Sequence, residues 1–240
     1  MSNLFLATEA ATEAAAQPGY DFFGNLFKKV AEFSTVTWIV VAALVVLAAL
    51  ILFVSRNKVK WSSRMLAYGA LCIALSFVLS AVRLYRMPQG GSVTPAGMLP
   101  IMLFSYSFGV APGLLAGAAF GLLDFLQDGY VIAPIQFVLD YIIAYAMCGL
   151  AGVLRGRVKK GANERVAFGV GVVLGSFMRF ACAVASGVIF FSEYAEGSGY
   201  SPLVYSIVYN GSYMLPNMLI CLVLGVLIAP QLCRMIRRSA

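Results

Sequence analysis

Apolar runs long enough to cross a bilayer recur along this chain, and that recurrence limits its folds more than any other feature. Residues 36–54 form one unbroken run, and six more follow near 65–82, 95–108, 113–126, 132–154, 166–191 and 202–228. About 20 apolar residues in a helix span the roughly 30 Å of hydrocarbon, where each backbone N–H and C=O must find its partner within the protein. A soluble core explains the runs poorly, because 61% of the 240 residues are hydrophobic, against about 45–50% in globular domains. The expected fold class is an all-α membrane protein: a six-helix core preceded by one additional N-terminal transmembrane helix. The expected domains are an extramembrane tail over 1–35, the extra helix and its cytoplasmic linker over 36–60, the core over 61–230 and a basic cytoplasmic tail over 231–240. The tail is expected to be mobile, with an interfacial helix around 22–33. The second and third core runs are short for full crossings. With Pro95, Pro100 and Pro112 nearby, they are predicted to be tilted, kinked or packed inside the bundle.

The net charge of +7 does not point to nucleic acid, because the basic residues sit in clusters between apolar runs rather than along one soluble face. Arg56, Lys58, Lys60 and Arg64 form one cluster, five basic residues from Arg155 to Arg165 a second, and Arg234, Arg237 and Arg238 a third. Placing all three in the cytoplasm puts twelve of the seventeen Lys and Arg residues on one side of the plasma membrane, with Asp128, Glu193 and Glu196 outside. Seven helices then leave the N-terminus external, a placement that Lys28 and Lys29 oppose.

Catalysis lacks its parts. The chain has no histidine, and its five cysteines have no CxxC spacing, so neither a zinc site nor a disulfide framework is expected and the cysteines read as small buried residues. No nucleophile is paired with a base, and no Gly-rich phosphate loop is followed by Lys. The chain is expected to be neither an enzyme nor dependent on a cofactor, and any uphill transport needs energy from another polypeptide.

Three charges fall in or near the membrane: Asp124, Asp140 and Arg179. Such residues face a cavity, or each other, because an ionised group in hydrocarbon is costly. Asp124 lies near a helix end and is expected to be solvated at the interface. Asp140 and Arg179 are deeper and have two open readings, a structural ion pair or a polar pocket in which Asp140 meets a cationic or amine-bearing ligand. Aromatic residues gather towards the outer side, at Tyr141, Phe190, Phe191, Tyr194, Tyr200, Tyr205, Tyr209 and Tyr213. An interfacial belt accounts for some of these. Tyr205, Asn210 and Asn217 suit an apolar pocket with a few placed polar groups better. Gly113, Gly117 and Gly121 repeat every four residues and predict close helix packing, while Ala70 and Ala74 form a similar small patch that suits either internal packing or a partner.

At 86–94, RMPQGGSVT, followed by MLP at 98–100, the sequence resembles the thiamine-specific S components of energy-coupling factor transporters. The resemblance continues at 117–130, at Leu139-Asp-Tyr141 before Gly149-Leu-Ala-Gly152, at Arg179-Phe180 with Ser186-Gly-Val-Ile-Phe190, and at 205–216, YSIVYNGSYMLP. It covers roughly 64–230 and implies a core that binds thiamine from outside and docks on a transmembrane coupling protein driven by two cytoplasmic ATPases. It also implies that Ala70 and Ala74 contact that coupling protein. Tyr141, Gly187, Tyr205 and Asn210 match the residue types that surround thiamine in the family. Asp140 stands where Glu is usual, and Arg179 where a basic residue is common. Ala183 replaces a ligand-stacking His and Phe191 a Trp, which leaves a related aminopyrimidine or thiazole as the next ligand to consider. The alternative function is a self-sufficient ion-coupled carrier that uses Asp140 and Arg179 as a relay. A ligand-free assembly or scaffold protein is a third.

Overall fold

A computed structural model describes residues 61–130, 132–156, 162–195 and 198–239. The N-terminal tail and the run at 36–54 lie outside the described residues. Helix α1 (Ser63–Ala81) starts where the Ser62 hydroxyl accepts the Met65 N–H at 3.2 Å, a side-chain cap on an otherwise unpaired donor. A short hairpin follows, β1 (Tyr85–Arg86) antiparallel to β2 (Ser92–Val93) across a 3-10 turn at Pro88–Gly90. Then come α2 (Leu99–Phe108), α3 (Val110–Asp128), a composite helix α4 over 134–152, α5 (Ala162–Phe190) and α6 (Pro202–Ser239). Among the described residues five helices are long and apolar enough to cross a membrane, and α2 is a shorter apolar sixth.

Of the two runs expected to be short, the third extends into α3, whose 19 residues are long enough to cross, while the second stays short and is accounted for by burial. Helix α2 has nine of its ten residues buried and forms the centre of the bundle, its Phe104, Met102 and Ile101 packing with Phe168 and Val172 of α5. It starts at Leu99 rather than at 95 because Ala96 takes a left-handed φ of 63°, which no helix continues. It stops at Gly109, whose φ of 111° suits glycine, and α3 resumes one residue later.

Gly113, Gly117 and Gly121 pack inside the molecule. A methyl group on Gly113 would overlap the Ser105 side chain, one on Gly117 the Tyr145 carbonyl oxygen and one on Gly121 the Tyr141 carbonyl oxygen. Backbone thus lies on backbone where α3 crosses α4, and Gly121→Ala is expected to lower stability by about 1–3 kcal/mol through overpacking. At Gly211 an added methyl group would meet Phe180 at an ordinary 3.9 Å. Thermal unfolding in detergent should therefore show a drop for Gly121→Ala and none for Gly211→Ala.

Helix α4 is irregular inside. Pro134–Phe137 is α-helical, Val138–Ile143 is a π-helix, Ala144–Ala146 is α-helical again, and Met147–Gly152 tightens to 3-10. The Ala144 N–H reaches the Leu139 carbonyl five residues back. Such one-turn widenings re-aim the side chains they carry, and this one carries Asp140 and Tyr141.

Helix α6 runs past residue 228, through Pro216 and Pro230, to Ser239. Its end belongs to the bundle: Cys233 and Ile236 are buried, and Arg234 pairs with Glu164 at the start of α5 at 3.4 Å. The stretch from 231 is therefore a helical continuation of the last span, because a proline removes one backbone bond while packing on both sides holds the rest. The five cysteines are unbridged, and Cys148, Cys182, Cys221 and Cys233 are buried, in keeping with apolar packing.

Candidate ligand-binding cavity

The hairpin end of the bundle encloses a cavity between α3, α4, α5 and α6. Asp140, Tyr141, Arg179, Ala183, Gly187, Phe191, Tyr205 and Asn210 all line it. Ala70 and Ala74 do not; they are exposed on α1.

Asp140 Oδ2 accepts from Ser186 Oγ at 2.7 Å and from Gln136 Nε2 at 3.0 Å. Gln136, one turn earlier on α4, also ties down the incoming loop: its Oε1 accepts the Ile132 N–H at 2.8 Å and its Nε2 donates to the Tyr130 carbonyl at 3.1 Å. No hydrogen bond from a described residue ends on Asp140 Oδ1.

Arg179 is not the partner of Asp140. Its guanidinium carbon lies 4.1 Å from the Tyr145 ring centroid, and Nη1 points at the Met98 sulfur 2.9 Å away. Among the described residues no carboxylate pairs with it, and its buried Nε has no hydrogen-bond partner. Of the two readings of the deep charges, the ion pair is therefore not formed. A cation held over an aromatic face keeps part of its stabilisation without a counter-ion.

Asp124 departs from expectation. It lines the cavity and accepts from Tyr145 Oη at 2.5 Å. Asp124 lies seven residues after Gly117, on the same side of α3, so the close α3–α4 crossing carries it against Tyr145 instead of leaving it at the interface.

The α5–α6 wall is built by small residues. A methyl group on Gly187 would overlap Ser206 Oγ, so the helices nearly touch there. Asn210 fills the junction: its Nδ2 donates to the Ser206 carbonyl at 3.0 Å and the Ala183 carbonyl at 3.3 Å, while Oδ1 accepts from Tyr213 Oη at 2.8 Å. The amide thus braces the wall it lines.

Two aromatic groups flank the mouth. Tyr130 and Phe191 stack with centroids 6.0 Å apart, and the Tyr130 and Tyr194 hydroxyls lie 3.1 Å apart. In the other group Tyr205 and Tyr209 lie parallel, with centroids 6.3 Å apart and Tyr213 edge-on to Tyr209. The hairpin rests on this second group. Tyr209 Oη donates to the Pro88 carbonyl and accepts the Gly91 N–H. Asn217 Oδ1 accepts the Thr94 N–H at 2.9 Å and Nδ2 donates to the Ser92 carbonyl at 2.8 Å. Asn217 is therefore an anchor for the hairpin as well as a lining residue.

Sequence reasoning missed Asp124, Tyr145, Gln136 and Ser186 as lining residues. Signals existed for two of them. Gln136 stands four residues before Asp140, and Ser186 stands seven after Arg179 and three after Ala183, so each shares a helix face with a residue already singled out.

The family described as Thiamine transporter protein matches residues 66–237. The thiamine transporter ThiT of Bacillus subtilis (strain 168) is 36% identical over 176 residues, which cover 68% of this chain and 90% of that protein. The thiamine transporter ThiT of Lacticaseibacillus paracasei is 33% identical over 149 residues, covering 57% of this chain and 74% of that one. For the fold, a solved structure of ThiT from Listeria monocytogenes superposes with a TM-score of 0.64 at 24% identity, over 72% of this chain and 96% of that one.

Proposed function

The chain belongs to the thiamine transporter protein family, and from that premise we propose that it captures thiamine, or a close aminopyrimidine or thiazole analogue, from outside the cell. It acts as the substrate-binding subunit of an energy-coupling factor transporter, and a transmembrane coupling protein with two cytoplasmic ATPases supplies ATP-driven uptake.

The observation that carries this reading is a carboxylate with one oxygen held and the other without a described partner, set in a cavity walled by tyrosines and Phe191. An aminopyrimidine offers N–H donors to such an oxygen as charge-assisted hydrogen bonds. A thiazolium cation is favoured by aromatic faces. The rings of Tyr130 and Phe191 offer a stacking surface where Ala183 supplies none. The relay of an ion-coupled carrier calls for Asp140 and Arg179 in contact, and the guanidinium lies over Tyr145 instead.

The basic clusters orient the assembly. The segment from Arg155 to Arg165 and the C-terminus face the cytoplasm, which places the hairpin and the cavity mouth outside. Ala70 and Ala74, exposed on α1, form the contact with the coupling protein.

Calorimetry on the purified full chain with thiamine, its pyrimidine half and its thiazole half tests the ligand. Heat of binding is expected with thiamine, together with no ATP hydrolysis by the chain alone. No heat with any of the three removes the vitamin from the proposal.

A further inference from the structure

Gln136 is 2% exposed, and it is the one amide among the largest fully buried side chains of the described residues. A buried amide is costly unless its polar atoms find partners, and an apolar side chain would fill the same space without that cost. Here the partners are present, and they fix the direction of the amide. The Asp140 carboxylate and the Tyr130 carbonyl accept from Nε2, while the Ile132 N–H donates to Oε1. Turning the amide over would set its oxygen against two acceptors and its N–H groups against a donor.

These bonds join two parts of the cavity that belong to different segments. Asp140 stands on the widened turn of α4, and Tyr130 stands in the loop that leaves α3. The Tyr130 ring stacks on Phe191, and the Tyr130 N–H donates to Tyr141 Oη at 2.9 Å. One nitrogen, Gln136 Nε2, therefore bonds both the carboxylate and the residue that carries one ring of the stack. Ser186 donates to the same carboxylate oxygen from α5, but among the described residues it has no hydrogen bond to the loop.

We propose that Gln136 is a specificity-determining positioning residue, which fixes the Asp140 carboxylate relative to the Tyr130–Phe191 stack. A planar heteroaromatic ring carries its N–H donors in the plane of its own π face, so it needs the carboxylate and the stacking surface in one set geometry. A flexible amine needs the carboxylate alone. The amide thus selects the ring class of ligand without touching the ligand itself. This inference rests on the ligand reading proposed above and adds to it the residue that sets the geometry.

Double-mutant cycles on the purified full chain, read as thiamine affinity by calorimetry, test the proposal. Gln136→Met keeps the volume and removes the bonds, and it is expected to weaken binding about tenfold. In an Asp140→Asn or a Tyr130→Ala background the same change is expected to cost no more than about threefold, because one of the two groups it places is already lost. In a Tyr205→Ala background, which alters the α6 wall, it is expected to cost about tenfold again. Ser186→Ala is expected to couple to Asp140→Asn and not to Tyr130→Ala, since it holds the carboxylate without holding the loop. A general loss of structure multiplies with every partner alike, so equal costs of Gln136→Met in all backgrounds overturn the proposal. So does an unchanged affinity of Gln136→Met. If Gln136→Met does not fold, Gln136→Asn, one methylene shorter, carries the cycles, and loss of the thermal transition in both variants makes the amide structural and overturns the proposal. No heat from the unsubstituted chain with thiamine removes the ligand reading and this inference with it, whereas binding with uniformly multiplying losses removes the inference alone.

Discussion

Asp140→Asn is expected to weaken thiamine binding by about 1–3 kcal/mol, the range for losing a charge-assisted hydrogen bond, with little loss of stability in the empty protein. The geometry separates these effects. Asp140 is held by the neutral donors of Gln136 and Ser186, and an asparagine carbonyl can accept from either. Arg179 keeps its place over Tyr145, so the change leaves no guanidinium newly unpaired. Thermal unfolding and calorimetry on one detergent-solubilised preparation read both quantities. A large fall in melting temperature with unchanged affinity would make Asp140 a structural residue and remove it from the site.

The second large effect is expected at the far side of α1. Ala70→Trp with Ala74→Trp should reduce uptake by cells carrying the coupling protein and ATPases to background, while thiamine binding by the purified chain stays within about twofold, as for exposed substitutions. Both alanines are exposed and neither lines the cavity, so indoles there protrude outward and would hold off the coupling protein proposed above. Loss of binding together with uptake would show that this face packs within the core.

The helices were legible because hydrocarbon leaves the backbone few choices, and the approximate spans of the core follow from apolar length alone. Their ends were less so. The start of α2 depends on the left-handed conformation of Ala96, and the extension of α6 past Pro230 depends on Glu164, some seventy residues away in sequence. On α5 and α6, Arg179, Phe191, Tyr205 and Asn210 stood out as charge, ring or amide in apolar runs and Ala183 and Gly187 through motif resemblance, and they line one space. Asp124 was misplaced because its depth along α3 suggested an interface. What decides its surroundings is the angular position it shares with Gly117, a quantity visible only once α3 is known to lie against α4. The partner of Arg179 was also beyond the sequence, since two opposite charges at similar depth invite pairing and only the positions of Tyr145 and Met98 show where the guanidinium goes.

The proline inside α6 acquires a mechanical meaning from what stands on each side of it. Tyr209 and Tyr213, before Pro216, support the tip of the hairpin: Tyr209 bonds Pro88 and Gly91, and the Tyr213 ring lies against Gly91. Asn217, just after it, holds the base of the hairpin at Ser92 and Thr94. Pro216 has no N–H, so the backbone bond to the preceding turn is missing at the boundary between these two anchors. The supports of tip and base thus lie on either side of a gap in the backbone bonding of α6, so a bend at Pro216 would change their separation.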